Sequence, residues 1–255
     1  MIVMKSGRIE KIFDRLLFYL TVPKCVCCEE RLDADDRALC KSCMDSYRET
    51  KKAKCSVCLK VLNECTCPNQ YLESHFVHKL AKVFRYRNSS EPGKLISANE
   101  LIYNVKRVAR RDLVGFIADE MAESLKNSFK TDKFIITSVP RSAGRVNKYG
   151  FDHSEKIARA IAKRLGIKYA RLLKSRLKNA QKKVKGEERI LNARFDYRKM
   201  HPDINGASVI LVDDIVTTGA SMGNSAALIK GLGARRIVGA CFAIAYRDNY
   251  KGFVN

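Results

Sequence analysis

The sequence lacks a long apolar run. Its most apolar stretch near the N-terminus, IFDRLLFYL, is interrupted by charge and is too short to cross a bilayer. It also lacks a clean apolar centre followed by a small-residue cleavage site, which argues against a signal peptide. We therefore expect no membrane span and a cytoplasmic protein. Internal repeats and low-complexity tracts are absent too, and the 46% hydrophobic fraction of the 255 residues predicts a packed core.

Acidic residues are scarce. The chain has 27 of them against 49 Lys and Arg, which gives a formal net charge of +22. The excess is uneven, since residues 141–199 alone hold 19 basic and five acidic residues, whereas residues 1–75 are nearly balanced. Such an imbalance indicates a polyanionic partner or strongly anionic substrates. The alternative is a solvated surface that serves only solubility.

Cysteine is concentrated in one short segment. Nine of the ten cysteines lie between residues 25 and 67, and eight of these form three C-x-x-C pairs and one tighter C-T-C pair. Two such pairs supply the four thiolates of a tetrahedral zinc site. A disulfide framework would suit a secreted chain better, so metal binding is the favoured interpretation. About 50 residues with little core of their own need a metal to fold, which predicts a structural role.

The spacing allows one or two zinc ions. The first complete ligand set is Cys25, Cys28, Cys40 and Cys43. A second set is Cys55, Cys58, Cys65 and Cys67, although cross-bracing between the pairs is compatible with the same spacing. Cys27 is then a spare thiol, and Cys241, within an apolar run, is expected in the core.

The whole chain divides into three predicted regions. Residues 1–22 contain RIEKIFDRLLFYL, whose apolar residues fall on one face of a helix. Residues 23–75 form the predicted zinc-binding module, and residues 76–255 form the main domain after a connector around 68–80. Helices are expected at 111–129, 153–165 and 221–232, and buried strands at 134–139, 208–214 and 235–245. This alternation predicts an α/β fold with a parallel sheet flanked by helices.

The stretch VILVDDIVTTGASM carries the main functional signal. Ligands of open α/β sheets bind beyond the carboxyl ends of the strands, where Asp213 and Asp214 would lie. The following turn leads into a helix whose first amides are free to bind a phosphate, together with neighbouring hydroxyls. A Walker A loop is excluded, because Gly-Lys-Ser/Thr is lacking. Carboxylates that accept bonds from vicinal hydroxyls, beside a phosphate-binding turn, predict a ribose 5-phosphate ligand. The predicted phosphate-binding residues are Thr217, Thr218, Gly219, Ala220 and Ser221.

The same stretch resembles the phosphoribosyl pyrophosphate signature of type I phosphoribosyltransferases: four apolar residues, two acids and T-T-G-x-[ST]. The resemblance implies that Asp213 and Asp214 bind the ribose hydroxyls and are the catalytic pair. It also implies that Mg²⁺ bridges the sugar hydroxyls and the pyrophosphate.

Most of the chain is similar to the ComF family of competence-associated proteins, which combine a cysteine-rich zinc module with a type I phosphoribosyltransferase-like domain. VPRSAGRVNKYGFDHSEKIA resembles the family segment that forms the pyrophosphate loop in related enzymes, and QKKVKGEERILNARF resembles the loop that closes over the site. The implied pyrophosphate ligands are Pro140, Arg141, Ser142, Arg145, Lys182 and Lys183. Asp152 and His153 depart from the usual G-F-N-Q, and Lys178 replaces a small hydroxyl residue.

Two functions of different class remain open. The resemblance implies a protein of DNA uptake and natural transformation that binds phosphoribosyl pyrophosphate together with single-stranded DNA or a competence helicase. The basic segment 141–199 suits this role, because contacts to phosphate backbones are driven by charge. The alternative is an active transferase that displaces pyrophosphate with an amine or a nucleobase.

Overall fold

The computed structural model describes residues 23–33, 36–86, 96–107, 110–131, 133–176 and 195–245. The predicted helix within residues 1–22 lies outside this part, and so does the segment that carries Lys178, Lys182 and Lys183. Within the described residues after the cysteine-rich segment, helices lie between most of the successive strands of the main sheet. The predicted α/β class is therefore confirmed.

The main sheet is parallel and has five strands. The strands of the described residues are β1 (Leu80–Arg85), β2 (Phe134–Ser138), β3 (Lys168–Tyr169), β4 (Leu173–Ser175), β5 (Phe195–Tyr197), β6 (Ser208–Val216) and β7 (Arg236–Ile244). The spatial order in the main sheet is β1-β7-β6-β2-β3. All four of its strand pairings are parallel, so the carboxyl ends of these strands meet at one edge. β4 and β5 form a separate antiparallel pair, in which β4 precedes residues 177–194 and β5 follows them.

Seven α-helices lie in the described residues. They are α1 (Lys41–Thr50), α2 (Gln70–Ser74), α3 (Ile96–Arg107), α4 (Arg111–Ser128), α5 (Ala143–Tyr149), α6 (His153–Leu165) and α7 (Ala220–Gly231). Among the described residues, no helix has the length and apolar character needed to span a membrane.

Helices cover both faces of the sheet because side chains alternate along each strand. On β6, Ile210 and Val212 face a core formed with helices α3, α4 and α6. Val209 and Leu211 face the opposite core, which contains side chains of α2 and α7. Cys241 is buried in this second core, as its apolar run predicted.

The cysteine-rich segment packs directly on the α/β domain. Helix α1 begins immediately after Cys40 and carries Tyr47 into the same core as α4 and the sheet. The Tyr47 ring lies 5.1 Å from that of Phe116, and its hydroxyl donates to Oε2 of Glu120 at 2.9 Å. One continuous core therefore joins the first part of the cysteine-rich segment to the sheet.

Candidate functional site

Asp213 and Asp214 lie near the carboxyl end of β6, where the neighbouring strand β2 also ends. The register pairs Ser138 with Val212, so the loop after β2 starts beside the two aspartates. Both carboxylates are contacted by the first turn of α6, which packs over this edge. The site is therefore built where two parallel strands and one helix N-terminus meet.

Asp214 is almost fully buried and is surrounded by two cationic side chains and a histidine ring. Its Oδ2 lies 2.9 Å from Nε2 of His153, 3.2 Å from Nζ of Lys106 and 3.6 Å from a guanidinium nitrogen of Arg141. Only 5% of the Asp214 side chain and 1% of the His153 side chain are exposed. Its other oxygen accepts from the amide of Ile215 at 2.8 Å. Buried charges of this kind are stable only when they are paired, and here the pairing comes from three separate elements.

Asp213 has a different environment, although it is the adjacent residue. Its Oδ1 accepts hydrogen bonds from the Ser154 hydroxyl at 3.1 Å and from the amide of Asp214 at 2.9 Å. Desolvation, followed by the neighbouring negative charge of Asp214, raises the pKa of Asp213 well above its ordinary value. Both effects shift Asp213 toward its protonated form.

The departures at Asp152 and His153 both have structural roles. Asp152 caps α6, since its side chain accepts from the amide of Glu155 at 3.1 Å. It also accepts from the amide of Arg141 at 3.0 Å, which ties the loop after β2 to the helix. Burial raises the pKa of Asp152. His153 is the next residue and pairs with Asp214, so the start of α6 organises both the loop and the strand end.

The 217–221 turn connects β6 to α7. Gly219 adopts φ +84°, a conformation that favours glycine, and α7 begins at Ala220. The Thr218 hydroxyl accepts from the Ala220 amide at 3.3 Å, while Thr217 and Ser221 are exposed. The turn is thus open on the side of these two hydroxyl residues.

The other side of this turn is covered by the residues that follow the cysteines. Asn69 donates from Nδ2 to the carbonyl oxygen of Thr218 at 3.2 Å. A Cβ atom at Gly219 would lie 3.0 Å from Oδ1 of Asn69 and 3.0 Å from Cγ of Leu72. Glycine is therefore needed at this position for its backbone angle and for the close approach of Asn69 and Leu72.

The predicted pyrophosphate loop, residues 140–145, follows β2. Arg141 is directed toward Asp214 and is 13% exposed. The hydroxyl oxygen of Ser142 is buried without a hydrogen-bond partner, and Pro140 is half-buried. The side chain of Arg145 lies outside the described part of the structure, as do the whole residues Lys182 and Lys183. An unpartnered hydroxyl beside an arginine is a suitable environment for an anionic oxygen.

The eight predicted metal ligands fall into two groups of four thiols. They are Cys25, Cys28, Cys40 and Cys43, and Cys55, Cys58, Cys65 and Cys67, with the sulfur atoms of each group within 4.8 Å of one another. We call these groups the first and the second cluster. The cross-braced pairing is not the one that the structure forms, and Cys27 belongs to neither cluster. Both clusters could hold a zinc ion, which prefers four such ligands.

Backbone amides point at the sulfur of the first ligand of each cluster, Cys25 and Cys55. Burial would raise the pKa of Cys25, but the amides of Cys28, Cys40 and Cys27 lower it to about 7. Likewise, against the effect of burial, the amides of Cys58 and Val57 contribute to lowering the pKa of Cys55 to about 7. Amides that point at a sulfur favour the thiolate form, which is the form that binds metal.

A basic cavity of about 370 Å³ lies beside β3, at the outer edge of the sheet. The Arg159 guanidinium stacks over the Tyr169 ring at 4.3 Å, and the Tyr169 hydroxyl lies 3.2 Å from that of Ser138. Glu155 pairs with both Arg159 and Arg171. Within the described part of the chain, Lys168 and Arg198 form no ion pair. The charged residues that line the cavity are Arg159, Lys168, Arg171 and Arg198.

Comparisons with known proteins give a family match, sequence relatives and similar solved structures. The family model for the phosphoribosyl transferase domain matches residues 152–252. A ribose-phosphate pyrophosphokinase from Thermococcus kodakarensis is 34% identical over 83 residues, which are 31% of this chain and only 24% of that enzyme. A purine phosphoribosyltransferase from Pyrococcus horikoshii superposes with a TM-score of 0.35 and 21% identity, covering 55% of this chain and 77% of the other.

A relative that matches more of this chain narrows the class of protein to which the chain is similar. Competence protein ComFC from Streptococcus pneumoniae is 23% identical over 206 residues, which cover 80% of this chain and 86% of that protein. Together with the matched domain and the cysteine-rich segment, this similarity supports a ComF-type, phosphoribosyltransferase-like protein.

Several residues that contact the site were not predicted to do so from the sequence. Lys106 and Asn69 reach it from elements that are distant in the chain, and nothing in their local sequence signals this. His153 and Asp152 did carry a signal, because they occupy the positions where the sequence departs from the family pattern. Ser154 follows them on the same helical turn.

Proposed function

We propose that the edge of the sheet at Asp213 and Asp214 binds phosphoribosyl pyrophosphate. The aspartates accept hydrogen bonds from the ribose hydroxyls. The 217–221 turn binds the 5′-phosphate through its amides and through the exposed hydroxyls of Thr217 and Ser221. The observation that carries this proposal is the continuity of β6, the turn and α7, with two carboxylates just before an open, positively polarised turn.

The pyrophosphate group would lie toward the loop after β2. Ser142 offers a buried hydroxyl without a partner, and Arg141 and Lys106 bring positive charge to the same edge. The other predicted contributors to pyrophosphate binding are Pro140, Arg145, Lys182 and Lys183. Since the Asp214 carboxylate already binds cationic side chains, we propose that Mg²⁺ is held chiefly by oxygens of the ligand. When bound, it would neutralise charge on the pyrophosphate leaving group.

Binding and turnover are separate proposals. In the transferase alternative, an amine or a nucleobase would attack C1 of the ribose while pyrophosphate leaves. Asp213 and Asp214 would then orient the sugar, so their catalytic role would be positional. We favour binding within a DNA-uptake role, as the competence relative suggests, and a cytoplasmic location and a helicase partner remain predictions.

A second proposed activity is binding of single-stranded DNA. It is supported by the basic cavity at β3, which four cationic residues line; two of them pair with Glu155, and Arg159 stacks on an aromatic ring. Phosphate contacts of this kind need only charge and reach, and aromatic rings tolerate any base. All four basic residues of the cavity belong to segment 141–199, which holds 19 basic and five acidic residues.

We also propose that both clusters bind zinc and that the ions are structural. Each cluster provides four thiols, which fill a tetrahedral site and leave no position for a substrate. Helix α1 starts at a ligand of the first cluster and places Tyr47 in the main core, so a metal there would also stabilise the α/β domain.

Calorimetric titration with phosphoribosyl pyrophosphate and Mg²⁺ tests the sugar-phosphate site. The double substitution Asp213→Asn with Asp214→Asn should abolish binding while circular dichroism still reports a folded chain. Asp45→Asn, on the exposed surface of α1, is the control and should bind normally. Equal heats from the double variant and the unaltered chain would refute the site. Release of pyrophosphate with a panel of bases and amines, with and without single-stranded DNA, then separates turnover from binding.

A further inference from the structure

The second cluster lies two residues before a segment that touches the 217–221 turn. Its last ligand is Cys67, and Asn69 begins the contact. We propose that Asn69 is a positioning residue for this turn and that metal binding at the second cluster holds Asn69 in place. The consequence for ligand affinity rests on the proposed sugar-phosphate site, whereas the positioning of the turn does not.

Asn69 uses both ends of its amide. Its Oδ1 accepts from the Leu72 amide at 2.9 Å and caps α2, while its Nδ2 donates to the Thr218 carbonyl oxygen at 3.2 Å. The same side chain and Leu72 occupy the space where a Cβ of Gly219 would lie. The turn therefore keeps its shape against a wall that Asn69 and Leu72 provide.

The contact continues along the first turns of α7. The Tyr71 hydroxyl donates to Oδ1 of Asn224 at 2.7 Å. A Cβ atom at Gly223 would approach Cε1 of Tyr71 to 2.8 Å. Close packing of this sort transmits a shift of α2 to α7 because neither surface has space to absorb it.

The second cluster is connected to this wall through the backbone of residues 65–67. The Lys82 ammonium donates to the carbonyl oxygens of Cys67 at 2.7 Å and of Cys65 at 3.4 Å. Thr66 lies between them and accepts from the amide of Leu80 at 2.9 Å. The strand β1 thus anchors the ligand-bearing chain immediately before Asn69.

Lys82 gives this anchor a dependence on metal. Its side chain is fully buried, and in the described part of the structure it has no acidic partner. Four thiolates around a divalent ion carry a net negative charge, which a buried ammonium beside them offsets. Loss of the ion would remove both the link between Cys58 and Cys67 and this negative charge, and residues 65–69 would be held less firmly.

The first cluster provides an internal control because its contacts lead elsewhere. The carbonyl oxygen of Val26, between its first two ligands, accepts from Nδ2 of Asn104 on α3 at 2.9 Å. This is an amide-to-carbonyl bond of the same type as that from Asn69 to Thr218, but at a different helix. Asn104→Ala is therefore the matched substitution for Asn69.

Hydrogen exchange on the full-length, zinc-loaded chain tests the proposal. Asn69→Ser keeps a good helix cap but loses the bond to Thr218, so amides of residues 218–224 should exchange about tenfold faster. Amides 209–212 of β6 should be unchanged, and Asn104→Ala should not affect residues 218–224. Unchanged exchange in Asn69→Ser, or an equal increase in Asn104→Ala, would overturn the positioning role.

The metal dependence is tested with two equivalent ligands. Cys58→Ser should accelerate exchange at residues 218–224 about as much as Asn69→Ser, and the two changes combined should add less than twofold. Cys28→Ser, at the same place in the first cluster, should leave these amides unaffected. If Cys28→Ser has the same effect, or if Cys58→Ser also exposes amides 209–212, the specific coupling is wrong.

Ligand titration completes the test and separates the two proposals. If the unaltered chain binds phosphoribosyl pyrophosphate with Mg²⁺, Asn69→Ser should weaken it about tenfold, and Asn104→Ala should not. Full affinity in Asn69→Ser would contradict the functional consequence. An unaltered chain that fails to bind would refute the proposed sugar-phosphate site, while the exchange measurements would still decide the role of Asn69.

Discussion

Asp213→Asn and Asp214→Asn should have very different effects on the free energy of unfolding, although the two residues are neighbours. In Asp214→Asn, the cationic groups of Lys106 and Arg141 and the His153 ring lose the carboxylate that they surround. Hydrogen bonds to charged groups contribute about 1.5–3 kcal/mol, and removal of one partner of a buried pair costs about 3–5 kcal/mol. Because Lys106 is 32% exposed and can turn to water, we expect a loss of about 2–3 kcal/mol.

Asp213→Asn should not destabilise the chain. Burial and the adjacent charge raise the pKa of Asp213, so the uncharged amide replaces an acid whose uncharged form is favoured by its surroundings. The asparagine oxygen can still accept from the Ser154 hydroxyl and from the Asp214 amide. At pH 4 we expect a change in the free energy of unfolding within about 0.5 kcal/mol, as for substitutions that leave no unpaired group. At pH 7 the variant should be at least as stable as the unaltered chain, because it lacks the acid whose ionisation the folded chain disfavours.

Urea unfolding of the ligand-free chain at pH 7, followed by circular dichroism, distinguishes the two variants. The expected loss for Asp214→Asn corresponds to a melting temperature lower by about 4–12 °C for a chain of this size. Asp45→Asn, which breaks only an exposed pair with Arg48, should resemble the unaltered chain. Equal unfolding midpoints for Asp213→Asn and Asp214→Asn would refute the assignment of the buried charge to Asp214.

Three other measurements follow from the structure. Because the pKa of Asp213 is raised in the folded chain, its contribution to stability is present at acidic pH and is lost as pH rises through that pKa. Asp213→Asn should remove this decline. A difference in unfolding free energy between the variant and the unaltered chain that is the same at pH 4 and pH 8 would contradict the raised pKa. Metal analysis by mass spectrometry should give about two zinc ions per chain and about one in Cys58→Ser; an unchanged count in the variant would disprove independent clusters. The affinity for single-stranded DNA should fall steeply with salt, and Arg171→Ala with Arg198→Ala should reduce the salt slope by about one to two, whereas the exposed Lys52→Ala should not; a flat salt response would rule out binding by charge.

The sequence was sufficient for the elements that carry a strong local pattern. The apolar run before Asp213 predicted β6, and the turn predicted after it contains Gly219 in a left-handed conformation. The helix predicted at 153–165 has these bounds in the structure, where Gly166 follows its end in the left-handed conformation. In each case hydrophobic period and turn chemistry point to the same structure.

Other parts depend on contacts that are distant in the chain. The strand β1 was not recognised because its middle residue is Lys82, whose fully buried ammonium is satisfied by carbonyl groups of the cysteine-rich segment. The expected connector around 68–80 contains α2 and the wall behind the 217–221 turn. Neither feature has a local signal, since a buried lysine and a packing asparagine are explained only by their partners.

The arrangement around the two aspartates favours a site that is already formed before a ligand arrives. His153 and Ser154 are consecutive residues on the first turn of α6, and each contacts one of two consecutive carboxylates on β6. Asp152, the cap of that same helix, also binds the loop that follows β2. One helical turn therefore fixes the strand end and the loop together, and a ligand that binds here does not need to order them. The departures from the family pattern at Asp152 and His153 supply these contacts themselves, so they are compatible with a rigid site, in which the ordering cost of binding is small.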